Sequence, residues 1–349
     1  MEIKKFLVET SQAPGPSGYE SLVGEIFSRY IRDYADEVST DALGNVVAVR
    51  RGARPDSPKV MLAGHIDEIG LLITKIESGG FLRFTKIGGI DQRTLLAQEV
   101  IIHGKQPLKG VIGAKPPHIQ EPGERKKSVP IEELFIDTGL AKDKVEQIVS
   151  VGDIATIGRT VVELHDGIVA GKAFDDRAGA AVIIACFREL ARLKTSVSVY
   201  GVATVQEELG TRGARTSAYA IQPDIGIGID VTFADRDDVL EERAKLGKGP
   251  AIAIGPQVHP LIYQQMVQIA EKRGVPYQID PSPSPFGTDT APIQVSRAGT
   301  ASILISVPLR YMHTSVETLS LRDIEASGRL LAEFIAGLDD QFVEGLSCF

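Results

Sequence analysis

The chain has 349 residues, 43% of them hydrophobic and 24% charged, a composition that excludes the collagenous, disordered and low-complexity classes. Its net charge of −8 repels polyanions, so we expect no nucleic-acid partner. The basic run at 125–127 is flanked by acids and is interpreted as a solvated loop. The absence of Trp weakens the case for a carbohydrate-binding cleft.

The cysteines and the N-terminal residues predict a cytoplasmic protein. Cys186 lies in an apolar run and Cys348 near the C-terminus, so neither indicates a disulfide framework. The first ten residues include acids and no apolar core of signal-peptide length, and no run of about 18 apolar residues occurs elsewhere. We therefore expect neither export by a signal peptide nor a membrane span.

The first part of the chain predicts a helix and then strands. Ser17 and Glu20 form a capping-box pattern before apolar residues at helical spacing, which predicts a helix over 18–34. Strands are predicted over 45–49 and 59–64. From about residue 70, frequent Gly and Pro separate short apolar runs, which predicts a small β-barrel or sandwich.

From about residue 163 helices and strands alternate again. The strands are predicted over 168–170, 197–205, 224–229, 251–254 and 301–307, and the helices over 177–192 and 322–337. Continuous apolar strands between helices are typical of a parallel sheet covered on both faces. We therefore predict an α/β fold with a mostly parallel central sheet and helices on both faces. It is formed by residues 1–70 and 163–349 and interrupted by an all-β, barrel or PDZ-like domain at 71–162.

Acidic residues and histidines follow several of the predicted strands. They are His65, Asp67, Glu68, Asp175, Asp176, Glu207, Glu208, Asp230 and His313. Because ligands of open α/β sheets bind at the carboxyl ends of strands, we expect these groups to share one crevice. Clustered carboxylates repel one another unless a cation neutralises them, and this donor set suits Zn²⁺, Co²⁺ or Mn²⁺. The pattern favours a dinuclear site in which a bridging water is the nucleophile.

Six short motifs carry most of these residues. They are AGHIDEIG at 63–70, KAFDDRAG at 172–179, VQEELG at 205–210, GIDV at 228–231, GTDT at 287–290 and RYMHTS at 310–315. Together they resemble the M42 family of dinuclear metallo-aminopeptidases over about residues 5–335, including Lys115 to His118. The resemblance implies a zinc-peptidase fold and hydrolysis of N-terminal residues from short peptides.

The resemblance also implies a ligand set. Asp175 would bridge two divalent ions per subunit, Zn²⁺ or Co²⁺ with Mn²⁺ as a further option. His65 and Asp230 would complete the coordination of one ion, and Glu208 and His313 would complete that of the other.

Two further roles follow from the same resemblance. Glu207 would be the general base, and its position beside Glu208 in a turn lets one carboxylate reach the metal and the other the water. Asp67 would accept the imidazole N–H of His65. Asp175 and Asp176 resemble a pair that relatives join by a cis peptide bond.

Other polar residues keep open readings. Two interpretations stay open for Asp67, Glu68 and Asp176: a supporting role at the site, or a role only in solubility or simple hydrogen bonding. Asp289 is a candidate supporting group. The histidines outside the motifs, which are His103, His118, His165 and His259, are interpreted as non-catalytic. Residues 232–235 and 282–290 are expected to line the specificity pocket, whose preference stays undetermined.

The resemblance implies self-association, and two other functions remain as alternatives. In the family the inserted domain mediates dimer contacts, and dimers build a tetrahedral dodecamer that admits peptides. An endoglucanase-type glycoside hydrolase would use Glu207 and Glu208, but sequence neighbours rarely face each other across the required gap of about 5–9.5 Å. A catalytically silent assembly module would not need the complete ligand set.

Overall fold

A mixed eleven-stranded sheet lies at the centre of the computed structural model, which describes residues 2–116, 128–234 and 244–346. In chain order the strands are β1 Glu37–Thr40, β2 Val46–Arg50, β3 Lys59–His65, β4 Gly70–Ile76, β5 Leu82–Ile87, β6 Glu99–His103, β7 Pro107–Gly113, β8 Phe135–Asp137, β9 Ile154–Ile157, β10 Val162–Glu163, β11 Ile168–Gly171, β12 Ser198–Thr204, β13 Ile225–Phe233, β14 Ala251–Ile254, β15 Gln278–Pro281, β16 Ala301–Arg310 and β17 Glu317–Ser320. Strands β4 to β9 form a separate sheet.

The large sheet runs in the order β1-β2-β12-β3-β13-β16-β17-β11-β10, with β14 and β15 joined at β16. Neighbours among β12, β3, β13 and β16 pair in parallel, as β14 does with β15, whereas the remaining pairs are antiparallel. The prediction of a mostly parallel sheet was therefore wrong outside the centre. Short connections such as that between β1 and β2 allow only antiparallel pairing, and these outer strands carry too few apolar residues to be seen in the sequence.

Helices cover both faces of this sheet. In chain order the helices of the protein are α1 Glu2–Gln12, α2 Ser21–Ile31, α3 Lys142–Ile148, α4 Phe174–Leu190, α5 Arg212–Ile221, α6 Pro260–Arg273, α7 Thr290–Gln294, α8 Leu321–Ala336 and α9 Asp340–Glu344, and α3 is the one among them that lies in the barrel region instead of on this sheet. Alternate residues of β3 enter two different apolar clusters: Val60 and Leu62 pack with α1, α2, α4 and α8, while Met61 and Ala63 pack with α5 and α7. This alternation is the geometry of a strand buried on both sides.

The predicted helix over 18–34 is present as α2, but its start differs from the prediction. The helix begins at Ser21, and the side chain of the preceding Glu20 makes no capping hydrogen bond. Ser17 and Glu20 therefore do not form the predicted capping box. Helix α1, which the sequence analysis did not predict, buries Ile3, Phe6 and Leu7 on one face.

The region between β3 and β10 forms a closed barrel in the order β4-β5-β8-β7-β6-β9. Its core is a separate apolar cluster that includes Leu82, Ile102 and Ile136. The prediction of an all-β insertion was wrong in one respect, because α3 lies in this region. Val145 from α3 and the adjoining Val149 complete the barrel core, at a spacing that suits a helix. Within the described ranges, no helix is long and apolar enough to cross a membrane.

Candidate active site

The parallel strands bring the predicted site residues to one edge of the sheet. His65 is the last residue of β3, and Glu207 and Glu208 follow the end of β12 in a short turn. His313 lies three residues beyond β16. Asp230 lies inside β13, opposite Ser306 of β16, rather than after a strand as predicted. The carboxyl-edge prediction therefore identified the correct edge of the sheet.

Asp175 stands between two groups of polar side chains. Its Oδ1 lies 3.2 Å from His65 Nε2, and its Oδ2 lies 3.1 Å from His313 Nε2. His313 Nε2 is also 3.1 Å from Glu208 Oε1. One atom from each of His65, Asp175 and Asp230 lies within 4.8 Å of the others, and the same holds for Asp175, Glu208 and His313. One carboxylate is thus shared by two candidate metal-binding triads.

Asp67 connects a histidine of this centre to the turn that follows β12. Its Oδ1 lies 3.3 Å from His65 Nδ1, on the opposite side of the ring from Asp175. The same carboxylate accepts hydrogen bonds from the backbone N–H of Glu207 at 3.0 Å and of Glu208 at 3.1 Å. Glu207 Oε2 lies 3.9 Å from His65 Nε2. The structure therefore gathers all seven predicted catalytic and metal-binding residues.

Glu68 and Asp176 are buried, so of the alternatives left open for them the role in solubility was wrong. Glu68 accepts from Lys172 Nζ at 2.6 Å and from Arg177 Nη2 at 3.2 Å. Asp176 Oδ2 accepts from the backbone N–H of His65 at 3.2 Å. The peptide bond between Asp175 and Asp176 is cis, as the resemblance implied.

Arg177 is the largest fully buried side chain next to the centre. It donates to the carbonyl oxygens of Thr10, of Ala13 at 2.8 Å and of Ile66 at 3.2 Å. Because Arg177 also forms an ion pair with Glu68, it joins the end of helix α1 to the residues that follow β3.

Glu317 was missed by the sequence analysis. Its Oε2 accepts from the backbone N–H groups of Phe174 at 2.7 Å and Asp175 at 3.2 Å, and its Oε1 accepts from His313 N at 2.9 Å. It therefore fixes the backbone of two predicted ligands. Only its place two residues after the last motif could have indicated it, which is a weak signal.

The barrel region also contacts the centre, through the loop after β5. The N–H of Gly89 donates to Glu208 Oε2 at 3.2 Å, and its carbonyl accepts from His313 Nδ1 at 2.9 Å. A Cβ at this position would lie 2.8 Å from His313 Cε1, so only glycine fits without a shift. Gly89 thus orients the His313 ring with Nε2 towards Asp175 and Glu208.

The electrostatics of the buried acids favour a cation. Burial, together with the nearby Asp175, raises the pKa of Asp230 to about 8 and that of Glu317 to about 8. Burial raises the pKa of Glu207 to about 9. Hydrogen bonds to Asp175 and Glu208 raise the pKa of His313 to about 11. Neutralising such a cluster is what divalent cations do, and mixed imidazole and carboxylate donors suit Zn²⁺, Co²⁺ and Mn²⁺. The residues present therefore fit a metal centre.

Other predicted residues lie apart from both triads. Asp289 is buried, and its Oδ2 accepts from Thr204 Oγ1. His103 Nε2 lies 2.9 Å from Thr156 Oγ1, and His103, His165 and His259 belong to neither triad. The predictions for His118, for the basic run at 125–127, for Asp235 and for Cys348 lie outside the described residues.

Comparison with known proteins identifies the class. The model of the M42 glutamyl aminopeptidase family matches residues 44–330. Lysyl aminopeptidase of Pyrococcus furiosus is 36% identical over 338 residues, 94% of each chain. A TET aminopeptidase from Thaumarchaeota archaeon SCGC AB-539-E09 has a TM-score of 0.94 at 35% identity, with 99% of both chains covered. The protein is therefore an enzyme, a peptide hydrolase of the aminopeptidase class. It belongs to the M42 peptidase family, which is metal-dependent.

Two other similar structures bear on assembly and on the alternative function. The Pyrococcus horikoshii TET1 peptidase, described as assembling into a tetrahedron or a large octahedral shell, has a TM-score of 0.85 at 33% identity, covering 96% of this chain and 100% of that one. A Thermotoga maritima protein described as an endoglucanase has a TM-score of 0.78 at 31% identity, covering 98% of this chain and 99% of that one.

Proposed function

We propose that the protein removes N-terminal residues from short peptides by means of two divalent cations per subunit, Zn²⁺ or Co²⁺ with Mn²⁺ as a further option. The observation that carries this proposal is the position of Asp175, whose two oxygens contact His65 and His313 in separate triads. A carboxylate shared in this way is the usual bridge of a two-metal site.

Five side chains of this chain would hold the cations. Asp175 is shared, His65 and Asp230 belong to one position, and Glu208 and His313 belong to the other. The bound cations would supply Lewis-acid polarisation of the scissile carbonyl and would lower the pKa of a water molecule. Asp67 and the Gly89 carbonyl face the Nδ1 atoms of His65 and His313, so both rings present Nε2 to the centre.

Glu207 is proposed as the general base. Its Oε2 lies beside His65 Nε2, and its backbone N–H is fixed by Asp67, so the carboxylate borders the centre without belonging to either triad. From this position Glu207 takes a proton from the attacking water and delivers it to the leaving amine nitrogen. Its pKa of about 9 in the metal-free protein falls when cations are near, towards the range that suits both steps.

A panel of aminoacyl-arylamides tests this proposal. The enzyme is stripped with a chelator, reconstituted with one metal at a time and assayed on each substrate and on its N-acetylated form. We expect turnover only after reconstitution and only with a free α-amine. Equal turnover of the blocked substrate would contradict aminopeptidase action, and full activity of the stripped enzyme would contradict metal dependence.

Endoglucanase activity is the second candidate, favoured only by the similarity to the Thermotoga maritima protein. In this chain Glu208 contacts His313 and Glu207 lies beside His65, so both carboxylates face the proposed cations. Cleavage of a cellulose chain that persists after exhaustive chelation would support this candidate.

We further propose that residues 1–70 and 163–349 form the catalytic domain and that residues 71–162 form an assembly domain. The closed barrel with its own apolar core supports this division. We also propose dimers that build a tetrahedral dodecamer, and the similarity to the TET1 peptidase, described as assembling into a tetrahedron, supports the tetrahedral form. Sedimentation is expected to show the dodecamer, and a monomer would contradict it.

Absence of bound metal under replete conditions would favour a silent assembly module instead. The buried free thiol of Cys186 is consistent with the cytoplasmic location that we also propose.

A further inference from the structure

The turn that carries Glu207 and Glu208 is held by side chains instead of by neighbouring strands. Strand β12 ends at Thr204, and the next four backbone N–H groups all donate to side-chain oxygens of distant residues. The bonds are Val205 N to Asn45 Oδ1 at 3.0 Å, Gln206 N to Glu20 Oε1 at 3.0 Å, Glu207 N to Asp67 Oδ1 at 3.0 Å and Glu208 N to Asp67 Oδ2 at 3.1 Å. This arrangement lets the strand end abruptly while every amide keeps a partner.

Gln206 is a strained position of this turn. Its φ is +55°, in the left-handed region that residues with a Cβ seldom adopt. Such a conformation persists only where surrounding contacts enforce it, and it is common next to reacting groups. The hydrogen bond from Gln206 N to Glu20 is the contact that reaches this backbone from the N-terminal segment.

The segment 17–20 holds the turn in two ways, directly through Glu20 and indirectly through Ser17 and Asp67. Glu20 is only 6% exposed, and its Oε1 accepts from Gly18 N at 2.8 Å as well as from Gln206 N. Ser17 Oγ donates to Asp67 Oδ2 at 2.6 Å, and Asp67 in turn holds the next two amides. Ser17 and Glu20, which matched the pattern of a helix cap, therefore stabilise the turn after β12 instead.

We propose that Glu20 is a positioning residue for catalysis, which acts by holding the Gln206 backbone and thereby the direction of the Glu207 carboxylate. This inference rests on the proposed role of Glu207 as the base. Without an acceptor at this distance, the Gln206 amide turns to find another partner and the adjoining Glu207 moves with it. A shift of about 1 Å in a reacting group is enough to reduce turnover up to about 100-fold.

Two substitutions at Glu20 separate acceptor position from charge. Glu20→Gln keeps the reach and one acceptor oxygen but removes the charge, whereas Glu20→Asp keeps the charge but shortens the side chain by one methylene. At saturating metal we expect Glu20→Asp to lower kcat by about 10-fold or more with KM within about 3-fold of wild type. We expect Glu20→Gln to stay within about 3-fold of wild type in both constants.

Asp323 supplies a matched control away from the centre. It is fully buried and likewise accepts from two backbone N–H groups, Gly247 at 2.7 Å and Gly249 at 2.8 Å. Asp323→Glu, which also changes the reach by one methylene, is expected to lower Tm without changing kcat.

The outcomes distinguish the positioning role of Glu20 from the role of Glu207 as the base. Normal kcat in Glu20→Asp, or equal loss in Glu20→Asp and Glu20→Gln, would overturn the positioning role. A loss of kcat in Asp323→Glu as large as that in Glu20→Asp would also overturn it, because any buried carboxylate would then have the same effect. Glu207→Gln is assayed in parallel: full activity there contradicts the proposed base itself, whereas an inactive Glu207→Gln with an active Glu20→Asp contradicts only the role of Glu20.

Discussion

The barrel and the carboxyl edge of the large sheet bury very different groups. Between residues 70 and 157, Thr156 is the only buried polar residue among those the structure describes, and the core is aliphatic and aromatic. At the sheet edge, several carboxylates, the imidazole of His65 and the cationic side chains of Lys172 and Arg177 are buried close together.

This difference separates stabilisation from chemistry. Burial of apolar side chains stabilises the barrel without further requirements. Burial of charged groups opposes folding unless each group finds a partner. Burial and the negative charge of neighbouring acids raise the pKa values of several acids of the edge, among them Glu207 and Asp230. We expect divalent cations bound at the edge to neutralise these acids. Stability should therefore respond to packing changes in the barrel, and to metal and pH at the sheet edge.

The largest effect is expected at the edge, from Glu207→Gln. The amide keeps the volume but cannot accept a proton, so kcat should fall by about 10³-fold or more while both metal equivalents stay bound. Steady-state kinetics with metal analysis of the same sample checks this. Undiminished turnover would rule out Glu207 as the base, whereas loss of metal would show that it is a ligand.

The opposite response is expected in the barrel, from Ile136→Ala. Ile136 is fully buried, so truncation should lower the free energy of unfolding by about 2–5 kcal/mol and leave kcat unchanged. Ile136→Val is the milder control, at about 1 kcal/mol. Denaturant titration and kinetics at a temperature where both variants are folded measure the two quantities. A large drop in kcat would show that the barrel core is not separate from the chemistry.

Gly89→Ala tests a point where the two regions meet. The added methyl group would press on the His313 ring, so we expect kcat/KM to fall by about 10- to 100-fold and metal affinity to weaken. Gly158→Ala is the control, because its Cβ would have ordinary contacts of 3.4 Å or longer and its φ is unstrained. Isothermal titration with Zn²⁺ and kinetics of both variants check this, and equal effects would refute a specific contact.

The smallest effect is expected from pH in the chelated protein. Acids whose folded pKa lies above the unfolded value stabilise the fold while protonated, and this contribution is lost as pH rises through the folded pKa. Glu207, Asp230 and Glu317 titrate near pH 8 to 9, so unfolding should become easier between pH 6 and 9, by ~1 kcal/mol or more. Denaturant midpoints at the two pH values measure it. A midpoint that rises with pH would contradict the assignment, and bound metal should flatten the trend.

The sequence predicted the elements with strong apolar patterns and the residues inside the motifs. Strand β14 was predicted with its observed bounds, and α8 was predicted within one residue at each end. The seven site residues converge because their strands are parallel, which apolar runs such as that of β13 already indicated.

What the sequence missed depends on contacts between distant residues. Strands β1 and β10 are largely exposed and polar, so no apolar pattern marks them. Glu317 and Gly89 matter through hydrogen bonds to residues 143 and 224 positions from them, respectively, which no local pattern encodes. Ser17 and Glu20 fit a local rule, and the structure uses both for longer-range bonds instead.

The contacts of Arg177 with helix α1 have a consequence for synthesis on the ribosome. Carbonyl groups at the end of that helix, those of Thr10 and Ala13, accept from a guanidinium more than 160 positions later in the chain. Helix α1 therefore lacks this partner until Arg177 has been synthesised. Because short isolated helices are marginal in water, we expect helix α1 to reach its full stability only once Arg177 is available to bond its terminal carbonyl groups.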